Sequence, residues 1–142
     1  MKDEVYLPLE VVNKFWVYVK KKLIRRVKLT ENYKIFLSAD NVTFRNDAIK
    51  IFGPDRIVYN IGDDIMNIDY IKTNNECPAE IVQTFNDFYS FQYCDMAVVT
   101  QYSQFGRFGI WNKGKVPSNY FSYDGRKLTR IINFSQQIDY TF

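Results

Sequence analysis

Segments with a helical spacing of apolar residues alternate with short apolar runs along most of this chain, and this alternation restricts the fold more than any other feature. The predicted helices cover residues 9–28, 42–52, 79–93 and about 104–112, and the predicted strands cover 34–40, 56–59 and 95–100. Such alternation is typical of an α/β fold with a mainly parallel sheet and helices on both faces. The prediction is one α/β domain over residues 1–142, a three-layer Rossmann-like sandwich.

The first helical segment combines an apolar stripe with most of the excess positive charge. Val12, Trp16, Val19 and Leu23 recur at the 3.6-residue spacing of an amphipathic helix. Residues 1–30 hold 8 Lys and Arg against 3 acidic residues, whereas the rest of the chain holds 11 against 13. We expect the stripe in the core and the basic side chains in solvent. Nucleic acid is not an expected partner.

The C-terminal part of the chain departs from the alternation. Residues 120–123 and 130–134 are predicted to be strands, and the Asp124-Gly125 pair between them is typical of a hairpin turn. The sheet is therefore expected to end in a short antiparallel pair.

The composition excludes several classes of protein. With 46% hydrophobic and 25% charged residues, the chain of 142 residues belongs to the globular class. No apolar run is long enough for a membrane span, and no secretory signal follows Met1, so the expected location is cytoplasmic by default.

The chain has no His, which excludes His-based dyads and His metal sites. With only two Cys, no metal site is expected.

The stretch from residue 95 to 107 carries the most chemical information. A buried strand is followed by a tight turn, and Ser103 is placed to cap the next helix. The backbone amides near Gln104 and Gly106 would then form an anion site at the start of that helix. The alternative is that Ser103 only caps its own helix and Gly106 only permits close packing.

Two acidic positions are further candidates. Asp40, followed by Asn41, ends the first predicted strand, where ligands meet the sheet in α/β folds. The alternative for this pair is a turn or a helix cap. Asp87 is a polar residue on a helix rich in aromatics, and the alternative for it is a place on the exposed face.

Four short motifs between residues 33 and 113 form a set: Ser38-Ala39-Asp40-Asn41, Phe85-Asn86-Asp87-Phe88-Tyr89-Ser90, Cys94-Asp95 and Thr100-Gln101-Tyr102-Ser103-Gln104-Phe105-Gly106-Arg107. Over roughly residues 33–113, this set resembles the donor domain of the α-1,6-fucosyltransferases and their bacterial nodulation relatives. Enzymes of this family have two Rossmann-like halves, and the C-terminal half holds GDP-fucose.

The resemblance implies a role for several candidate residues. Asp40, Asn41 and Asp87 would contact the nucleotide. Ser103 and Gln104 would lie near the diphosphate. Independently of the resemblance, the lack of a side chain at Gly106 would let a bulky anion approach the backbone. Arg107 stands where the family also carries Arg.

One family motif is absent. The donor domain of the family begins with a strand that carries His-x-Arg-x-x-Asp, whereas this chain has no His and its first residues are predicted to be helical. The expected function is that of a glycosyltransferase-like domain that binds a nucleotide-diphosphate sugar such as GDP-fucose, in a truncated or inactive form. A glycan or protein would be the acceptor, with no cofactor besides the donor. The alternative is a non-catalytic α/β interaction domain that binds protein or RNA.

Overall fold

The computed structural model describes residues 9–26, 32–39, 41–60, 79–101 and 103–137. These residues form a mixed α/β structure of helices and two small sheets. The helices are α1 (Leu9–Arg26), α2 (Val42–Phe52), α3 (Ala79–Ser90) and α4 (Gln104–Trp111). The strands are β1 (Ile35–Phe36), β2 (Ile57–Val58), β3 (Met96–Thr100), β4 (Asn119–Tyr123) and β5 (Leu128–Arg130). Single 3₁₀ turns lie at Pro54–Arg56, Phe91–Tyr93 and Phe134–Gln137. Within these ranges, no helix is long and apolar enough to cross a bilayer.

The strands are divided between two sheets. In the smaller one, β1 pairs with β2 in parallel, and the Leu37 amide extends the pair with a hydrogen bond to the Val58 carbonyl at 2.9 Å. In the larger one, β3 pairs in parallel with β4, and β4 pairs antiparallel with β5. The structure thus confirms a mixed α/β chain in which helices alternate with parallel strands.

Residues on the two faces of β3 enter different hydrophobic clusters, because successive side chains of a strand point to opposite faces. Ala97 and Val99 belong to one cluster, and Val98 packs against the other. The first cluster also contains Ile110, Tyr120 and Ile131. The second contains Phe15, Trp16, Val19, Leu37, Ala48, Ile57 and Tyr123.

The first helix agrees with its prediction where its side chains are described. Trp16 and Val19 are buried, while Lys14, Lys20 and Lys21 are exposed. The side chains of Val12 and Leu23 lie outside the described part. Amphipathic spacing therefore identified the buried face correctly at the two described positions.

The last predicted strand is wrong in its position. The antiparallel partner of β4 is β5, followed by Ile131, whose amide donates to the Tyr120 carbonyl at 2.8 Å. Beyond it, the side-chain oxygen of Gln136 accepts the amides of Ile132 and Asn133 at 2.7 and 3.1 Å. These side-chain bonds replace ladder bonds and end the strand before residues 132–134.

Candidate functional site

Ser103 and Gly106 build the start of α4. The Ser103 hydroxyl accepts the Gly106 amide at 3.1 Å, which makes Ser103 the N-cap. Gly106 is buried, and a Cβ there would lie 3.1 Å from Val99 Cγ1. Both alternatives raised for these residues, capping and close packing, are therefore observed. Gln104 begins the helix, and its side chain is not described.

Asn41 has a similar structural role in α2. Its side-chain oxygen accepts the Phe44 amide at 3.1 Å, and the residue is exposed. The cap that was the alternative for this position is therefore present. Asp40 lies outside the described residues.

Asp87 is buried rather than on the exposed face of α3, since only 1% of its surface is accessible. The side-chain amide of Asn60, shortly after β2, donates a hydrogen bond to its carboxylate. Gln83, one turn earlier on α3, donates to the Asn60 carbonyl at 3.0 Å. Asp87 thus connects α3 to the segment that follows β2.

Arg107 lines a polar cavity of about 130 Å³ that includes residues just beyond the carboxyl ends of β3 and β4. These two strands run parallel with Thr100 opposite Tyr123, so the residues after them meet at one edge. The Gln101 amide secures this edge with a hydrogen bond to the Tyr123 carbonyl at 2.8 Å. The polar residues that line the cavity are Gln101, Arg107, Ser122, Asp124, Thr129 and Gln136.

Asp124 supplies the negative charge of this cavity. One of its carboxylate oxygens accepts the amides of Arg126 and Lys127 at 2.8 and 2.9 Å. The hydrogen bond from the Lys127 amide, assisted by that from Arg126, lowers the pKa of Asp124 although burial opposes the shift. The cavity therefore contains an ionised carboxylate and a guanidinium.

The sequence pointed to Asp124 only as a turn residue. A sequence signal was nevertheless available, because Asp124 directly follows a predicted strand and Asp40, an accepted candidate, ends one. What the sequence did not reveal is that β4 runs parallel to β3, which brings Asp124 to the same edge as Gln101.

The predicted site residues fall into separate local groups in the described part of the chain. Ser103, Gly106 and Arg107 share the first turn of α4, where the Arg107 amide donates to the Ser103 carbonyl at 3.1 Å. Among the predicted residues whose side chains the structure describes, Arg107 alone lines the polar cavity. Asn41 and Asp87 bond to neighbours elsewhere. Convergence of the whole set on one ligand stays a prediction.

The cavity has the donors and acceptors that a small phosphorylated or hydroxylated ligand needs. A guanidinium binds phosphate oxygens through paired N–H groups, and a carboxylate accepts hydroxyl protons. At about 130 Å³ the cavity is smaller than the roughly 300–1,000 Å³ typical of whole-ligand pockets, so it suits one group of a larger ligand. Within the described ranges, no three Cys, Asp or Glu residues are grouped closely enough to hold a metal ion.

No family model, curated protein or solved structure matches this chain. The functional proposal therefore rests on the geometry of the chain itself and, for the identity of the donor, on the short sequence resemblance described above.

Proposed function

We propose that this chain is a donor-binding domain that holds the diphosphate of a nucleotide sugar in the cavity beside Arg107. One observation carries the proposal: Arg107, Gln101 and Asp124 line a cavity at the carboxyl ends of two parallel strands. That edge is where open α/β sheets bind ligands. GDP-fucose is the donor that the resemblance to fucosyltransferases favours.

Arg107 and Asp124 have different roles in this proposal. The Arg107 guanidinium binds phosphate oxygens, and the Asp124 carboxylate accepts a hydroxyl of the sugar or ribose. In sugar transfer, negative charge grows on the departing diphosphate, and fixed donors stabilise it. The candidate donors are the Arg107 guanidinium, the side-chain amide of Gln101, and the backbone amides at the start of α4 other than that of Gly106, which already bonds to Ser103. The proposal assigns no general base.

The fold that goes with this proposal is a three-layer Rossmann-like sandwich in which the two sheets lie side by side. Two features support it. Both β1–β2 and β3–β4 are parallel pairs. The hydrophobic clusters on opposite faces of β3 also correspond to a layer of helices on each side. In this arrangement Asp40 and Asp87 would belong to the same carboxyl edge as Arg107.

A thermal-shift panel of GDP, UDP, ADP and CMP tests the binding proposal. We expect GDP to raise the melting temperature most, with a dissociation constant in the high micromolar range. Replacement of Arg107 by Met should weaken GDP binding about ten- to a hundred-fold, the effect of one lost charge-assisted hydrogen bond. Arg126 is exposed and does not line the cavity, so Arg126→Met is the matched control. No shift with millimolar GDP in folded protein would reject the proposal.

Incubation with GDP-fucose separates binding from transfer. Release of GDP in the presence of a glycan or protein acceptor would assign transferase activity to this chain. Binding without release would make it a donor-binding domain that is inactive by itself.

A second candidate function is a non-catalytic domain that binds a protein partner, and the outer face of α3 favours it. Val82, Phe85, Tyr89 and, just beyond the helix, Tyr93 recur at helical spacing and are 50–80% exposed. Aromatic side chains dominate the energetic centre of protein interfaces. Residues 79–93 include no Lys or Arg, which an RNA-binding aromatic surface needs, so a protein partner is favoured over RNA.

Substitution of two residues on this face tests the second candidate. Phe85→Ser combined with Tyr89→Ser should abolish the copurification of one defined protein from the source cells. Asn86 is an exposed polar neighbour on the same helix, and Asn86→Ser should leave that protein bound. If the protein partner were lost with both the double variant and Asn86→Ser, or with neither of them, this face of α3 would not be its binding surface.

A further inference from the structure

An amphipathic groove lies against α1 and α2, and none of the described residues that line it also lines the Arg107 cavity. Its volume is about 450 Å³, within the roughly 300–1,000 Å³ of small-molecule sites. Apolar side chains of both helices form part of its wall, and Val17 among them is 65% exposed. The lining residues are Trp16, Val17, Lys20, Lys21, Arg25 and Ile51.

The charge of the groove is positive and is not balanced within the described part of the chain. Lys20, Lys21 and Arg25 are all exposed and all line it. No ion pair joins any of them to a described carboxylate. The nearby Asp47 on α2 instead pairs with Lys50 at 3.7 Å. A cluster of one sign beside a low-dielectric wall attracts an anion.

Trp16 also lines the groove. The residue is 2% exposed, so it contributes an apolar ring rather than an accessible polar group to the wall. The groove thus combines apolar surface with three exposed cations.

We propose that this groove binds a small amphiphilic carboxylate. The alkyl body lies against Val17 and Ile51, and the carboxylate lies among Lys20, Lys21 and Arg25. Burial of the alkyl chain provides affinity, whereas the cations select the negative head group. This second site gives a function to the basic residues of α1, which the nucleotide-sugar proposal does not use.

Titration with decanoate below its micelle-forming concentration, followed by calorimetry, tests this proposal. We expect decanoate to bind at least ten times more tightly than each of three comparison compounds. Decanol lacks the charge, acetate lacks the alkyl chain, and decyltrimethylammonium carries the opposite charge. Since the cations are exposed, the affinity should fall as salt increases. Equal affinity for decanoate and decanol would overturn the proposed head-group recognition.

Charge-reversal variants locate the site. Lys20→Glu combined with Lys21→Glu should weaken decanoate binding at least tenfold, and Val17→Asp should do the same through the apolar wall. Lys14→Glu changes an exposed lysine of the same helix that does not line the groove, so it should leave binding unchanged. Since all of these positions are exposed, circular dichroism should show unaltered folding. Undiminished binding of decanoate by the double variant would overturn the proposal. It would also be overturned if the wild-type protein bound anionic vesicles or an acidic peptide but did not bind decanoate.

Discussion

The side-chain amide of Asn60 donates a hydrogen bond to the carboxylate of Asp87, so the segment after β2 is attached to the middle of α3. Gln83 holds the main chain of the same Asn60 through a hydrogen bond of 3.0 Å to its carbonyl. One helix therefore fixes both the side chain and the backbone of Asn60. Asp87 is almost fully buried and Asn60 is half-buried, so this polar contact lies at the edge of the interior.

Removal of the Asp87 carboxylate should destabilise the protein by leaving the Asn60 amide without its acceptor. We expect Asp87→Ala to lower the free energy of unfolding by about 1–3 kcal/mol, measured by urea denaturation. Asp87→Asn retains an acceptor oxygen and should cost less. A double-mutant cycle with Asn60→Ala should give a coupling energy of about 0.5–3 kcal/mol. Simple additivity of the two substitutions would show that the contact contributes nothing.

Trp16 should be among the most important core residues for stability. Its ring stacks on Phe44 of α2 with 4.4 Å between centroids and also meets Phe15 and Phe52 edge-on. Trp16→Ala should therefore lower the free energy of unfolding by about 3–5 kcal/mol. Val17→Ala, at an exposed position next to it, should change the same quantity by less than about 0.5 kcal/mol. A loss below about 1 kcal/mol for Trp16→Ala would exclude this residue from the core.

The cap of α4 can be tested without altering the core. Ser103→Ala removes the acceptor of the Gly106 amide, and we expect it to cost about 1 kcal/mol in the free energy of unfolding. Ser103→Asp retains an acceptor at this position and should remain close to wild-type stability. Equal losses for both substitutions would mean that the hydroxyl does more than cap the helix.

Local signals predicted α2 within its correct limits, residues 42–52. Asn41 caps its start, and Gly53 ends it with a φ of +92°, a conformation that glycine adopts without strain. The apolar run of β3 was likewise visible. In both cases the residues that determine the element are neighbours in the sequence, so the element could be predicted from the sequence alone.

The cavity beside Arg107 could not be predicted in the same way. It depends on the parallel pairing of β3 with β4, which brings Gln101 and Asp124 to one edge across more than twenty residues of chain. No local pattern specifies that partner or its register. The resemblance to the fucosyltransferase family therefore named Arg107 as a candidate, but no sequence pattern named the carboxylate that lines the same cavity.

The protonation of Asp124 should appear in the pH dependence of stability. Hydrogen bonds from the Lys127 and Arg126 amides lower the pKa of Asp124 in the folded state below its ordinary value of 3.8. The ionised form therefore stabilises the folded state above about pH 4, and this contribution is lost as the pH falls through the lower folded-state pKa.

Asp124→Asn provides the matched comparison, because an amide oxygen can accept the same two hydrogen bonds but does not titrate. The difference in the free energy of unfolding between wild type and variant, measured by urea denaturation from pH 2.5 to 7, should favour wild type at neutral pH. It should shrink as the pH falls below about 4, since only the wild type then takes up a proton at this position. Parallel stability curves across this range would show that the two amide hydrogen bonds do not favour the ionised carboxylate.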